Sequence, residues 1–115
     1  MPYVLATFLI SLVAVLLYAF ALFDRVLRSE YESHRPAWEA DGRPIGFFWR
    51  ARESGYFFSY LAFLRVSFAW LFMTPKWVAD SPQAGAALRK LRLAVLTWNV
   101  GALIWFAMFL FSLRK

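Results

Sequence analysis

The chain has no cysteine and a single histidine, His34. The first absence excludes disulfides, thiolate metal sites, iron–sulfur clusters and cysteine nucleophiles. The second excludes a multi-histidine metal site. Charge is missing as well, but only locally: no Asp, Glu, Lys or Arg occurs from Met1 to Phe23 or from Leu93 to Leu113. Across 115 residues, 17% are charged and 62% hydrophobic, whereas ordinary globular chains are ~25% charged and ~45–50% apolar. A single small domain has too little interior to hide that much apolar surface. The excess is expected to face lipid or other protein.

Tyr3 to Phe23 and Leu93 to Leu113 each match the ~20 helical residues that cross a ~30 Å hydrocarbon core. Thr7 and Ser11 interrupt the first stretch, but their hydroxyls can bond back to helix carbonyls. Ala19-Phe20-Ala21 resembles a signal-peptidase site, yet the basic region of a signal peptide is missing, which favours an uncleaved anchor. The second stretch has a marked start. Asp80-Ser81-Pro82 offers a capping side chain followed by proline in the first turn, so its helix is expected to begin near Pro82. Arg89, Lys90 and Arg92 then fall at the headgroups, where their stems can snorkel.

The polar stretch from Asp24 to Gly55 holds every acidic residue except Asp80. Asp24 and Arg28 have the i,i+4 spacing of a helical ion pair, so the first helix is expected to continue beyond its apolar part. Pro36 halts or restarts it, and a short helix from Pro36 to about Asp41 should end at Gly42. Arg43 to Gly46 reads as turn, followed by the apolar knot Phe47-Phe48-Trp49. Residues 56–73 are strongly apolar and aromatic but carry Arg65. They fit an interfacial or re-entrant helix; a short third span is the alternative, with Arg65 near mid-membrane at about 2.5–3.5 kcal/mol.

Basic residues arbitrate. With two spans, all of the 13 Lys and Arg except Arg114 and Lys115 lie on one side, the split that the positive-inside rule prefers. The expected fold is an all-α, multi-pass membrane protein forming one domain over residues 1–115. Residues 1–35 make a first transmembrane helix with a polar extension, 36–81 a cytoplasmic or interfacial region, and 82–115 the second transmembrane helix. The two-span hairpin (3–23 and 93–113) places residues 24–92 in the cytoplasm; three spans remain the alternative.

No G-x-G-x-x-G, P-loop, H-E-x-x-H or G-x-S-x-G pattern occurs. His34 reads as a solvated or capping side chain, and its place outside the apolar stretches argues against haem or chlorophyll ligation. Met73 and Met108 are conceivable axial ligands, but packing is the commoner role. No catalytic, metal or cofactor residues are therefore expected. Glu30, Glu32, Glu39 and Asp41 alternate with Arg28, Arg35 and Arg43 as on a solvated, salt-bridged face. Arg50 and Arg52, near Tyr56 and Phe57, could suggest nucleic acid. Beside bilayer-length apolar segments, lipid headgroups are the nearer partner, and Arg50, Arg52, Arg65, Arg89, Lys90 and Arg92 are the expected contacts. Asn99, near Gly101 in the last apolar stretch, suits an interhelical hydrogen bond; Trp98 and Trp105 recur on one face seven residues apart. Trp98, Asn99, Gly101 and Trp105 are the expected helix–helix interface.

An amino-terminal span, a basic tail, Pro36 through Phe47-Phe48, an aromatic middle with Arg65, and the run Arg89 to Thr97 entering the last span make a recognisable order. It resembles the bacterial universal stress protein B family, small proteins of the inner membrane. The resemblance implies two spans in that membrane and supplies no catalytic residues. The chain departs from the family in its lack of cysteine, its heavier aromatic content and its more apolar 56–73 segment. The function expected is non-enzymatic. The chain would be an accessory subunit of a larger inner-membrane complex, respiratory or photosynthetic, or a homo-oligomer; the alternative is a stand-alone envelope-stress protein that binds anionic lipid. The expected partners are membrane lipids and other transmembrane subunits or copies of the chain itself, and no nucleic acid.

Overall fold

The computed structural model describes residues 2–52 and 57–114. Tyr56, which opens the segment read as an interfacial helix, lies outside the described residues, as do Glu53 and Lys115. The described chain is helical without a strand: α1 (Pro2–Ser33), α2 (Arg35–Ala40), α3 (Phe57–Phe72), a 3-10 turn (Lys76–Asp80) and α4 (Pro82–Leu113). Ser81 caps α4 through its hydroxyl, which accepts from the Ala84 amide at 3.3 Å, with proline at the start of the helix. α2 ends where the chain turns left-handed at Gly42 (φ +94°) and Arg43 (φ +56°), a conformation glycine adopts freely.

α1 and α4 pack antiparallel, with Leu5 beside Trp105 and Leu12 beside Gly101. Each is 32 residues long, or ~48 Å at ~1.5 Å per residue, which exceeds the ~30 Å hydrocarbon thickness. α3, at 16 residues, reaches only ~24 Å and falls short of it. It meets its neighbours through large side chains. Phe63 and Trp70 both contact the Phe23 ring, at 5.6 and 5.2 Å between centroids.

The core sits at the charged end of the molecule. Ala19, Leu22, Phe23, Val26 and Leu27 of α1 meet Ala84, Ala87, Leu88, Leu91 and Ala94 of α4 there, closed over by Trp38, Trp70 and Trp77. The charge-free ends of the two long helices share one seam and are otherwise bare. Only 11% of the most apolar window of the first helix is buried, and 6% of the second. A water-soluble domain arranges these regions the other way round.

Candidate functional site

The chemically distinctive region is the band where α1 leaves its charge-free stretch. Asp24 follows Phe23 directly and is almost wholly buried. Its carboxylate accepts three backbone amides: Phe47 at 2.7 Å on Oδ1, and Phe48 at 2.7 Å and Trp49 at 3.1 Å on Oδ2. The Gly46 amide donates to the Trp49 carbonyl at 2.8 Å and closes the turn. The 47–49 turn thus forms an anion-binding nest filled by the chain's own carboxylate. Gly46 is required by proximity, since a Cβ there would collide with Asp24 Oδ1. The same turn lays Phe47 flat on Phe20, 3.9 Å between ring centres.

This arrangement corrects the expected Asp24–Arg28 pair. Three amide donors in a partly buried turn are a better set of partners for the carboxylate than one exposed guanidinium. Arg28 pairs instead with Glu32 at 3.4 Å, and both side chains are exposed. Glu39 and Arg43 make a second exposed pair at 3.9 Å. The salt-bridged face is therefore present, but Glu30 does not belong to it.

Glu30 is fully buried, and neither carboxyl oxygen has a hydrogen-bond partner. It lies seven residues beyond Phe23, outside the charge-free stretch, on the face that carries Phe23, Val26 and Leu27 into the core. Burial, reinforced by the neighbouring Asp41 carboxyl, pushes its pKa up to about 9, while the Trp77 indole acts in the opposite sense. At neutral pH it is an uncharged acid. His34 belongs to the same corner. Expected to be solvated or capping, His34 is half-buried at the N-cap position of α2, which it caps through its carbonyl and not its side chain; its ring lies 5.1 Å from Trp77 and its Nδ1 is buried without a partner. Among the described residues, no three of His, Cys, Asp and Glu converge as a metal site would require.

The basic residues expected at headgroups divide into two groups. Arg50, Arg52, Arg89 and Lys90 are exposed. Arg65, also exposed, and the half-buried Arg92 make hydrogen bonds within the fold. Arg65 donates to the Asp41 carbonyl just beyond α2. Arg92 reaches the Trp70 carbonyl at 2.9 Å and the Thr74 hydroxyl at 3.1 Å, satisfying the end of α3.

Of the residues expected at a helix–helix interface, Gly101 and Trp105 face α1 of the same chain. A Cβ on Gly101 would lie 2.6 Å from Leu12 Cδ2, and the Trp105 indole donates to the Leu5 carbonyl at 2.8 Å. Trp98 is half-buried. Asn99 is exposed, and its amide donates to the Val95 carbonyl of its own helix at 2.7 Å. Met73, just past the end of α3, is exposed, and Met108 of α4 is half-buried.

Sequence patterns missed the Asp24 nest and the buried Glu30. Position 30 does carry a signal, since it continues the helical spacing of Ala19, Phe23 and Val26. The nest carries little: only Gly46, ahead of three aromatic residues, hints at a tight turn. No protein-family model, curated protein or solved structure matches the chain.

Proposed function

We propose that the chain is a two-span protein of the bacterial inner membrane, without enzymatic activity, that serves as an accessory subunit packing against the transmembrane helices of a larger complex or of its own copies. The observation that carries the membrane reading is the inverted burial: the most apolar windows of α1 and α4 are 11% and 6% buried. Hydrocarbon is the solvent in which such surfaces are stable. The resemblance to the universal stress protein B family favours the inner membrane, and the distribution of basic residues favours a cytoplasmic 24–92 region.

The subunit reading rests on α3. Phe57, Leu61, Leu64, Phe68 and Phe72 form one exposed apolar stripe on it, a surface suited to another helix. A second reading, a stand-alone protein that binds lipid, is favoured by a different observation. Phe20, Phe23, Phe47, Phe63, Trp70 and Trp77 already satisfy one another in a continuous ring cluster.

Extraction tests both levels. The protein should resist alkaline carbonate and then migrate, in mild detergent, with an assembly larger than one chain. Release by carbonate would refute the membrane reading. Migration as a single chain in a micelle would favour the stand-alone reading. Exposed Gln83 tests orientation: a cysteine there should be labelled by an impermeant reagent only from the cytoplasmic side.

A further inference from the structure

A groove of about 530 Å³ runs along α1 directly outside the Asp24 nest. On the helix side its floor is the exposed stripe Ala21, Arg25, Arg28 and Glu32, at the i, i+4, i+7, i+11 positions of one face and flanked by Asp24 and Ser29. On the other side Phe48 and Trp49 form an aromatic wall. That wall is held in place because both residues donate their amides to Asp24. The groove is built, since its aromatic wall is pinned by a buried carboxylate whose own charge is already engaged.

The order of chemistry along the stripe is directional. Ala21 lies inside the charge-free stretch, two residues before its end. Arg25 and Arg28 follow within about 3–8 Å of that end, which is the ~5–8 Å depth of a headgroup layer. Among the described residues the Arg25 guanidinium has no hydrogen bond or ion pair, so its cation is available. Glu32 lies outermost. Its carboxylate meets Arg28 at 3.4 Å in an exposed pair, the kind that contributes little and exchanges readily.

We propose that this groove binds the headgroup of an amine-bearing zwitterionic phospholipid of the phosphatidylethanolamine class. This rests on the membrane reading above. The phosphate sits on Arg25 and Arg28, and an acyl chain runs down past Ala21. The ammonium, one ethylene link from the phosphate, meets Glu32 and the electron-rich faces of the aromatic wall. An anionic headgroup such as phosphatidylglycerol satisfies Arg25 but brings no cation to the Glu32 carboxylate, which keeps only its exposed pair with Arg28. A headgroup of alternating charge uses both. Free phosphate shares the Arg25 contact but not the acyl or ammonium contacts.

The test uses the full chain reconstituted with equimolar phosphatidylethanolamine and phosphatidylglycerol, extracted in mild detergent and weighed by native mass spectrometry. Retained phosphatidylethanolamine should exceed phosphatidylglycerol by about fivefold, the preference one added exposed ion pair supplies. Glu32→Gln should bring the ratio to about one, Arg25→Gln should lower retention of both lipids, and Arg25→Lys should restore most of it. Excess inorganic phosphate should not displace the lipid. Equal retention by the unaltered chain, unchanged retention in Arg25→Gln with helicity intact by circular dichroism, or displacement by inorganic phosphate would each overturn the proposal. Carbonate extraction of the same vesicles separates the two levels: a chain that stays inserted yet shows no preference defeats the groove alone, whereas a chain that is stripped off defeats the membrane reading.

Discussion

The indole N–H of Trp105 donates to the main-chain carbonyl of Leu5 at 2.8 Å, across a sequence separation of 100 residues. One turn earlier on the same face, Gly101 admits the Leu12 side chain to within 2.6 Å of where a Cβ would stand. Together they set the register of the antiparallel pair.

Gly101→Leu should therefore separate α1 from α4. The chain's lack of cysteine allows a direct reading by disulfide trapping between cysteines placed at Val15 and Ala94, which face one shallow groove. Trapping should be efficient in the parent and largely lost with Gly101→Leu. Trp105→Phe should weaken it less, by about 0.6–2 kcal/mol for one hydrogen bond in an apolar setting. Leu110→Ile, on an exposed face, should leave trapping unchanged.

Asp24→Asn should loosen the 47–49 turn. The amide keeps one accepting oxygen and turns an N–H₂ group toward backbone donors, so the loss should be about 1.5–3 kcal/mol, the range for a hydrogen bond to a charged group. Gly46→Ala should act in the same direction, because its methyl group meets the Asp24 carboxylate. Amide hydrogen exchange at Phe47, Phe48 and Trp49 is the measurement; protection unchanged in both variants would remove Asp24 as the anchor.

Glu30 gives the fold a pH dependence with a definite sign. Its pKa is 4.5 in the ordinary state and about 9 in the folded one. Between these values the folded chain holds a proton that the unfolded chain has released. The contribution is therefore full below about pH 4.5 and is lost as pH rises through 9. Glu30→Gln should flatten that slope, leaving stability similar near pH 4 and raising it near pH 8. Asp41 and His34 face the same corner and are retained in the variant, so the difference between the two pH profiles belongs to Glu30. Thermal unfolding in detergent across this range is the test; parallel profiles would contradict the assignment.

The long helices were legible because their signals are local. A run without charge, a serine before a proline and a proline at position 36 each act within a turn or two, and α1, α2 and α4 begin or end near where those signals stand. α3 was legible as an apolar helix, interfacial or re-entrant with a short third span as the alternative, although its period did not reveal which face turns inward. The partners of charged residues were not legible, because each depends on a segment brought from elsewhere. Asp24 has Arg28 at helical spacing, yet it binds a turn more than twenty residues away. Arg65 and Arg92 read as headgroup contacts from their setting, yet each finds a carbonyl that a helix end or turn had left open. Asn99, which stood out because it is polar among apolar neighbours, bonds within its own helix. Composition located the polar groups correctly and could not say which backbone would reach them.

The two long helices have a consequence that concerns height. Each exceeds the hydrocarbon thickness by ~18 Å, and the surplus belongs to the charged end, where the buried core welds them together. On the proposed two-span reading, that end stands outside the hydrocarbon as a helical pedestal. On that reading, a molecule settling on the corner around Glu32 and His34 would be held at a set stand-off from the membrane surface. Adding or deleting one helical turn in both arms would move it vertically by ~5 Å. On that reading the hairpin is a ruler as well as an anchor.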